Sequence, residues 1–222
     1  MNDDEPGMVE ESIASEASVA EADDNLRNMG VAIALCGILI LFGGMTFAIW
    51  SVTTEVSSEY VDAETEMKFG VQEVEIEFKS DGESESETDD YDDAGDVKDF
   101  FSNLKILLYV LVICGAALAY MGHSGEKMEF APKVIVGAAL VSVVILLYTF
   151  VALPNAFEEE TEMFEDMDSD AGFYVNDESE SEGVEIVIKA MPSIGYFVAV
   201  VSLGLAGYLI KDRGITIEDL TG

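Results

Sequence analysis

The chain has 222 residues, of which 50% are hydrophobic and 25% are charged, and its formal net charge at pH 7 is −35. A positive mean hydropathy of +0.26 can coexist with 45 acidic residues only if the apolar and the acidic residues occupy separate stretches. This segregation is atypical of a soluble domain, and the 10 Lys and Arg residues are too few to favour nucleic acid as a partner.

Four stretches of the chain contain no Asp, Glu or Arg and almost no Lys. They cover residues 30–50, 104–121, 134–153 and 191–210. At about 1.5 Å of rise per residue, helices of these lengths match a hydrocarbon core roughly 30 Å thick. The sequence therefore predicts four transmembrane helices in a multi-pass protein of the cell membrane. Buried core helices are the alternative, but the acidic remainder of the chain could not cover four of them.

The basic residues near the ends of these spans predict the orientation. One side has Arg27, Lys127, Lys133, Lys211 and Arg213. The other side has Lys98, Lys105 and Lys189 near span ends. Because positive charge favours the cytoplasmic side, we expect both termini and the loop 122–133 in the cytoplasm, with 51–103 and 154–190 outside. The N-terminal segment has no basic region of the kind that begins a cleaved signal peptide, so we expect the first span to be retained.

Acidic residues are concentrated in the two exterior loops. Loop 51–103 contains 18 Asp and Glu with three Lys, and loop 154–190 contains 13 with one Lys. Segment 1–29 is acidic too and has few large apolar residues, so we predict a disordered or weakly helical cytoplasmic tail, followed after the last span by a short tail at 211–222. Because tail and loops are acidic alike, adaptation of the whole chain to high salt is a simpler explanation of the charge than a binding site.

Two exterior fragments alternate apolar and polar residues in the manner of β-strands. They are 74–79 (VEIEFK) and 184–189 (VEIVIK), which agree at four of six positions and predict strands near 71–79 and 184–189. We expect them to form one exterior sheet. The predicted fold class is therefore an all-α membrane protein, a four-transmembrane-helix bundle with a small extracellular β element in the two acidic loops.

The exterior loops also contain similar Glu–Ser runs, at 83–87 and 178–182. The two runs are 95 residues apart, whereas the strand fragments are 110 apart, so the similarities are not collinear. Duplication of a helix–loop–helix unit would explain them, and so would low complexity.

Small residues four positions apart recur in every span and predict close helix packing. The pairs are Gly30 with Ala34, Gly115 with Ala119, Ala138 with Ser142, and Ser202 with Ala206. Cys36 and Cys114 are predicted at similar depth near the cytoplasmic side, where we expect reduced, packed side chains rather than a disulfide.

Residues that could perform chemistry are scarce. Outside Lys105, at the edge of one span, the four stretches contain no ionisable Asp, Glu, His, Lys or Arg, so a proton relay is not indicated. The lone histidine, His123, is expected to be a solvated residue of the inner loop rather than a ligand. We predict that the protein is not an enzyme.

One acidic cluster resembles a calcium loop. Asp166, Asp168 and Asp170 alternate and precede Gly172, and oxygen ligands converging on one hard cation are what calcium requires. The glycine comes one place later than in an EF-hand, so we favour solvated acid over a calcium site. No other cofactor or metal is indicated.

Two classes of function remain open at this stage. The first is a structural or interaction module that presents an acidic extracellular surface to a membrane or envelope protein, or to another copy of the chain. The second is a channel, or an accessory subunit of a transporter, whose acidic mouth concentrates cations.

Overall fold

A computed structural model describes residues 7–80, 82–91, 95–160, 173–181 and 183–221. The helices are α1 (Gly7–Phe42), α2 (Gly95–Ser124), α3 (Ala131–Glu160), α4 (Ile194–Asp212) and α5 (Glu218–Thr221). The strands are β1 (Trp50–Ser58), β2 (Asp62–Phe69), β3 (Glu73–Ser80), β4 (Glu83–Asp90), β5 (Val175–Ser181) and β6 (Val184–Pro192). Helices α1 to α4 pack in a ring in which each contacts its two neighbours, and the strands form one sheet beyond one end of this bundle.

Within the described residues, four helices are long and apolar enough to cross a membrane. They are Asp24–Phe42, Gly95–Ser124, Met128–Phe157 (which includes the short turn before α3) and Ile194–Asp212. At most 39% of the most apolar 18 residues in each is buried inside the protein. The rest of each helix exposes large side chains such as Leu35, Ile113, Leu147 and Val201. An apolar surface of this extent is compatible with a multi-pass membrane protein and unlike a protein surface in water.

The backbones of α1 and α2 approach each other closely at two glycines. A Cβ added to Gly115 would lie 2.5 Å from the backbone nitrogen of Ala34 and 2.7 Å from the carbonyl oxygen of Gly30. A Cβ added to Gly30 would lie 2.4 Å from the backbone nitrogen of Ala119. The predicted small-residue pairs of α1 and α2 therefore meet each other, which confirms their role in close helix packing.

Helices α3 and α4 meet at the other two predicted pairs. The Oγ atoms of Ser142 and Ser202 lie 3.2 Å apart, and Ser142 donates to the carbonyl oxygen of Ala138 at 2.9 Å. Because the single proton of Ser142 is used there, Ser202 donates to Ser142. Ala138 and Ala206 are fully buried beside them. A hydroxyl pair thus joins α3 to α4 with both of its oxygens bonded inside the protein.

Helix α1 ends at Phe42, so the predicted span 30–50 is wrong at its outer end. Gly44 adopts a φ of +59°, a left-handed conformation that glycine takes without a steric penalty, and this stops the helix. The freed carbonyl oxygen of Leu41 accepts a hydrogen bond of 2.9 Å from Nε2 of Gln72. The rest of the predicted span forms a 3-10 turn and then begins β1 at Trp50.

Two other element boundaries differ from those expected. Residues 191 and 192 of the predicted span 191–210 belong to β6, and α4 begins at Ile194. At the N-terminus, α1 begins at Gly7, so of the two alternatives predicted for the tail, disordered or weakly helical, residues 7–29 are helical. The segment is rich in Ala and Glu, which favour helix and allow the apolar helix to extend towards the N-terminus.

The sheet is larger than the predicted β element, and the all-α class is therefore wrong. Within the described ranges it has six strands in the order β4-β3-β2-β1-β6-β5, and every neighbouring pair is antiparallel. The predicted strands 74–79 and 184–189 are part of β3 and β6, so both are confirmed as strands of one sheet. They do not pair with each other, because β2 and β1 lie between them.

The order of the strands explains the similarities between the two loops. The apolar fragments form the inner strands β3 and β6, and residues 83–87 and 178–181 of the Glu–Ser runs lie in the edge strands β4 and β5. An edge strand with charged side chains resists pairing with other chains, so position in the sheet accounts for the acid. The inner strand comes first in one hairpin and second in the other, which a collinear duplication would not produce.

Candidate interaction surface

The register of the sheet separates its residues onto two faces. Directly opposed residues of an antiparallel sheet lie on the same side. Trp50 is opposite Phe69, which is opposite Val74, and the next row contains Val52, Met67 and Ile76. We call this side the apolar face. Its other members include Val56, Phe78, Ile186, Ile188 and Ala190.

An aromatic cluster attaches the base of the apolar face to the bundle. Trp50 is fully buried, and its ring packs edge-on against Phe157 of α3 with ring centroids 5.3 Å apart. Phe69 also packs edge-on against Phe157, at 5.3 Å. The ring of Phe173 lies nearly parallel to Trp50, whose Nε1 donates to the carbonyl oxygen of Phe173 at 3.0 Å. The base of the sheet is thus part of the protein core.

Backbone hydrogen bonds continue from the sheet into α4. The amide of Ile49 donates to the carbonyl oxygen of Phe69 at 2.7 Å, and the amide of Ser193 donates to the carbonyl oxygen of Ile49 at 2.9 Å. Gly195, in the first turn of α4, donates to Ala48 at 2.8 Å. A Cβ on Gly195 would lie 2.2 Å from the carbonyl oxygen of Phe47, so this contact requires glycine. The sheet is therefore fixed to the bundle by backbone as well as by side chains.

Tyr91 makes a second attachment, between the sheet and α2. Its ring stacks on Phe101 with centroids 4.4 Å apart, and its hydroxyl lies 2.7 Å from the carbonyl oxygen of Gly70 and 3.0 Å from that of Glu73. Burial raises the pKa of Tyr91 above its ordinary value near 10, and the charge of Glu73 adds to this shift. The neutral hydroxyl is thus the form that the fold requires.

We expect Tyr91 to make the protein sensitive to alkali. A group with a raised folded pKa contributes stability that is complete below its unfolded pKa, here about 10, and lost as the pH rises above it. From pH 10 upward, the free energy of unfolding should fall by up to about 1.4 kcal/mol per pH unit more in the wild type than in Tyr91→Phe. Denaturant unfolding in detergent at pH 9 to 11 measures this difference. Tyr60→Phe, which alters an exposed tyrosine, should keep the wild-type slope, and equal slopes in all three proteins would contradict the assignment.

The opposite side of the sheet is polar and contains lysines surrounded by glutamates. Nζ of Lys68 lies 3.4 Å from Glu66 and 3.6 Å from Glu75. Nζ of Lys79 lies 3.1 Å from Glu64, and this hydrogen bond raises the pKa of the lysine. Lys189 pairs with Glu55 in the same way. These pairs are partly exposed, so each contributes little to stability. All three lysines of the sheet lie on this polar face.

The outer part of the apolar face lies away from the aromatic cluster. Phe78 is 47% exposed there, and Ile76 and Met67 are partly buried. Glu85 is directly opposite Phe78 and Glu87 is directly opposite Ile76. These residues, with Ser86, line an open groove of about 510 Å³ on the outer hairpin. We call Met67, Ile76, Phe78, Glu85 and Glu87 the acid-rimmed strip.

Asp166, Asp168 and Asp170, the candidate calcium ligands, lie outside the described residues. Among the residues that the structure does describe, no group of three or more His, Cys, Asp or Glu side chains could hold a metal ion. His123 is exposed near the end of α2, and Cys36 and Cys114 are free thiols.

Sequence reasoning missed the strip and the aromatic cluster. The cluster depends on the pairing of β1 with β2, which places Trp50 beside Phe69, and the strip depends on the pairing of β3 with β2 and with β4. The alternation of Trp50 with Val52 was a sign of β1 in the sequence. No protein-family model matches the chain, and a search of curated proteins finds no match.

Proposed function

We propose that the chain is a multi-pass protein of the cell membrane that acts as an interaction module, holding an acidic sheet outside the cell for a membrane or envelope protein to contact. The observation that carries this proposal is the unequal burial of the sheet. Its base is packed into the bundle through Trp50 and Tyr91, whereas β4 is exposed along its whole length and Phe78 faces solvent. A rigid support beneath an exposed surface is suited to binding.

The proposed orientation places the sheet outside and the termini in the cytoplasm. The sheet lies at one end of the bundle, and the α2–α3 connection lies at the other, where Asn25 of α1 donates to Asp212 of α4 at 3.1 Å. Lys127, Lys133 and Lys211 belong to that second end, and positive charge near span ends favours the cytoplasmic side.

Site-specific cross-linking in intact cells tests both parts of the proposal. In a Cys36→Ala and Cys114→Ala background, Ser80→Cys places a thiol on the apolar side of the outer hairpin and Ser84→Cys places one on the polar side. Glu129→Cys is the matched control at the opposite end of the bundle. A membrane-impermeant maleimide photo-cross-linker should label both sheet positions but not Glu129→Cys. Irradiation should then join at least one sheet position to a discrete second protein.

Labelling of Glu129→Cys with protection of both sheet positions would show that the orientation is reversed. Labelled sheet positions that give no adduct from either face, in cells that express the protein at its natural level, would overturn the interaction module.

The channel or transporter-subunit alternative has less support. A conducting path needs polar groups directed at water, and the buried hydroxyls of Ser142 and Ser202 are bonded to each other and to Ala138. Thr149 is also fully buried, so its hydroxyl is not directed at water, although that hydroxyl has no hydrogen-bond partner within the described residues.

A further inference from the structure

We propose that the acid-rimmed strip binds a peptide segment of the partner in which apolar side chains are flanked by lysine or arginine. This inference rests on the proposed function and adds the chemistry of the partner. The apolar part of the segment would cover Phe78, Ile76 and Met67, and its basic residues would lie beside Glu85 and Glu87.

Part of the apolar surface of the strip is exposed to water, which is unfavourable in free energy. Phe78 is 47% exposed although it belongs to an inner strand, where its cross-strand neighbours on the same face are Thr65 of β2 and Glu85 of β4. Burial of an aromatic side chain in this position by a partner is the kind of contact that dominates binding at protein interfaces.

The charge of the rim selects a basic partner. Directly opposed side chains in a sheet have Cβ atoms about 5 Å apart, so Glu85 and Glu87 lie within reach of anything that covers Phe78 and Ile76. The sheet's own lysines cannot neutralise them, because Lys68, Lys79 and Lys189 lie on the polar face. Within the described residues, neither Glu85 nor Glu87 is in an ion pair.

The same charge argues against two other occupants. A second copy of the strip would place carboxylates against carboxylates, which costs free energy at close range. The segment 161–172 of this chain contains five Asp and Glu and no Lys or Arg, so it would meet the rim with like charge. A basic segment is the occupant that gains from both parts of the strip.

A binding assay with a defined probe tests the proposal. The full chain, in nanodiscs of zwitterionic lipid, is titrated with a fluorescent 12-residue peptide of Leu and Lys arranged as an apolar stripe flanked by lysine. Empty nanodiscs give the background. A Leu and Glu peptide of the same pattern should not bind. Phe78→Ser should weaken binding about tenfold, and the double variant Glu85→Gln, Glu87→Gln should weaken it about fivefold at low salt.

The matched control removes the same charge from the other face. Glu180 and Glu185 are exposed, directly opposed and on the polar side of the sheet, so the double variant Glu180→Gln, Glu185→Gln should stay within about twofold of the wild type. Equal weakening by the two double variants, or wild-type affinity of Phe78→Ser, would overturn the strip as the binding site. A cell cross-link from Ser84→Cys alone would preserve the interaction module but assign it to the polar face.

Discussion

Replacing Gly115 by Leu is expected to destabilise the bundle by about 3 kcal/mol, because the new side chain must displace the backbone of α1. The added Cβ alone would lie 2.5 Å from the backbone nitrogen of Ala34, an atom that cannot rotate away as a side chain can. In a protein of this size such a loss lowers the midpoint of thermal unfolding by about 6 to 12 °C. Thermal unfolding of the detergent-solubilised protein measures the shift.

Gly207→Leu is the matched control for this substitution. Gly207 lies in α4, on the exposed side of the bundle, and a Cβ added there would meet no atom within 4 Å. The same change of residue should therefore leave the unfolding midpoint within a few degrees of the wild type. Equal midpoints for Gly115→Leu and Gly207→Leu would show that α1 and α2 do not approach as closely as described.

Replacing Trp50 by Ala should separate the sheet from the bundle and destabilise the protein by about 3 to 5 kcal/mol. The indole is fully buried among Phe69, Phe157 and Phe173, so its loss leaves a cavity in the aromatic cluster. The carbonyl oxygen of Phe173 also loses its donor. A glutamate-specific protease should cut the sheet several times faster in this variant than in the wild type.

Two further variants separate the contributions of Trp50. Trp50→Phe keeps an aromatic ring but removes the hydrogen bond to Phe173, so we expect an intermediate loss of about 1 to 3 kcal/mol. Tyr60→Ala removes an aromatic ring that is 84% exposed in the turn between β1 and β2, and it should leave cleavage unchanged. Wild-type cleavage of Trp50→Ala would mean that the sheet is held by other contacts.

The sequence predicted the parts of the fold whose signal is contained in one segment. Long apolar runs gave the four helices, small residues at a spacing of four gave their contacts, and alternation gave two inner strands. The end of α1 was missed because the segment from Met45 to Trp50 is mostly apolar, and an apolar sequence does not distinguish burial in lipid from burial in protein. The Gly43–Gly44 pair was the available sign of a helix end.

The remaining strands were missed because they are stabilised by pairing with neighbouring strands, and their own residues show no clear strand pattern. All eight residues of β4 are exposed and none is apolar, so the strand exists through its pairing with β3. In β1 and β2 the positions on the apolar face include Thr54, Thr65 and Ala63, whose side chains are polar or small. The alternation of apolar and polar residues along these strands is therefore weak. The acid-rimmed strip follows from register, which is a property of two strands together and could not be derived from either one.

The pairing of β1 with β6 has a consequence for the biogenesis of the protein. Trp50 and its partner Pro192 are separated by most of the chain, and α2 and α3 are synthesised between them. The first four strands must therefore wait, with one side of β1 open, until α3 and the strands that follow it have been synthesised. Contacts between such distant residues form slowly, and an open strand in that interval can pair with other chains. Completion of the sheet thus requires that α2 and α3 have been made and that β6 lies at the same end of the bundle as β1.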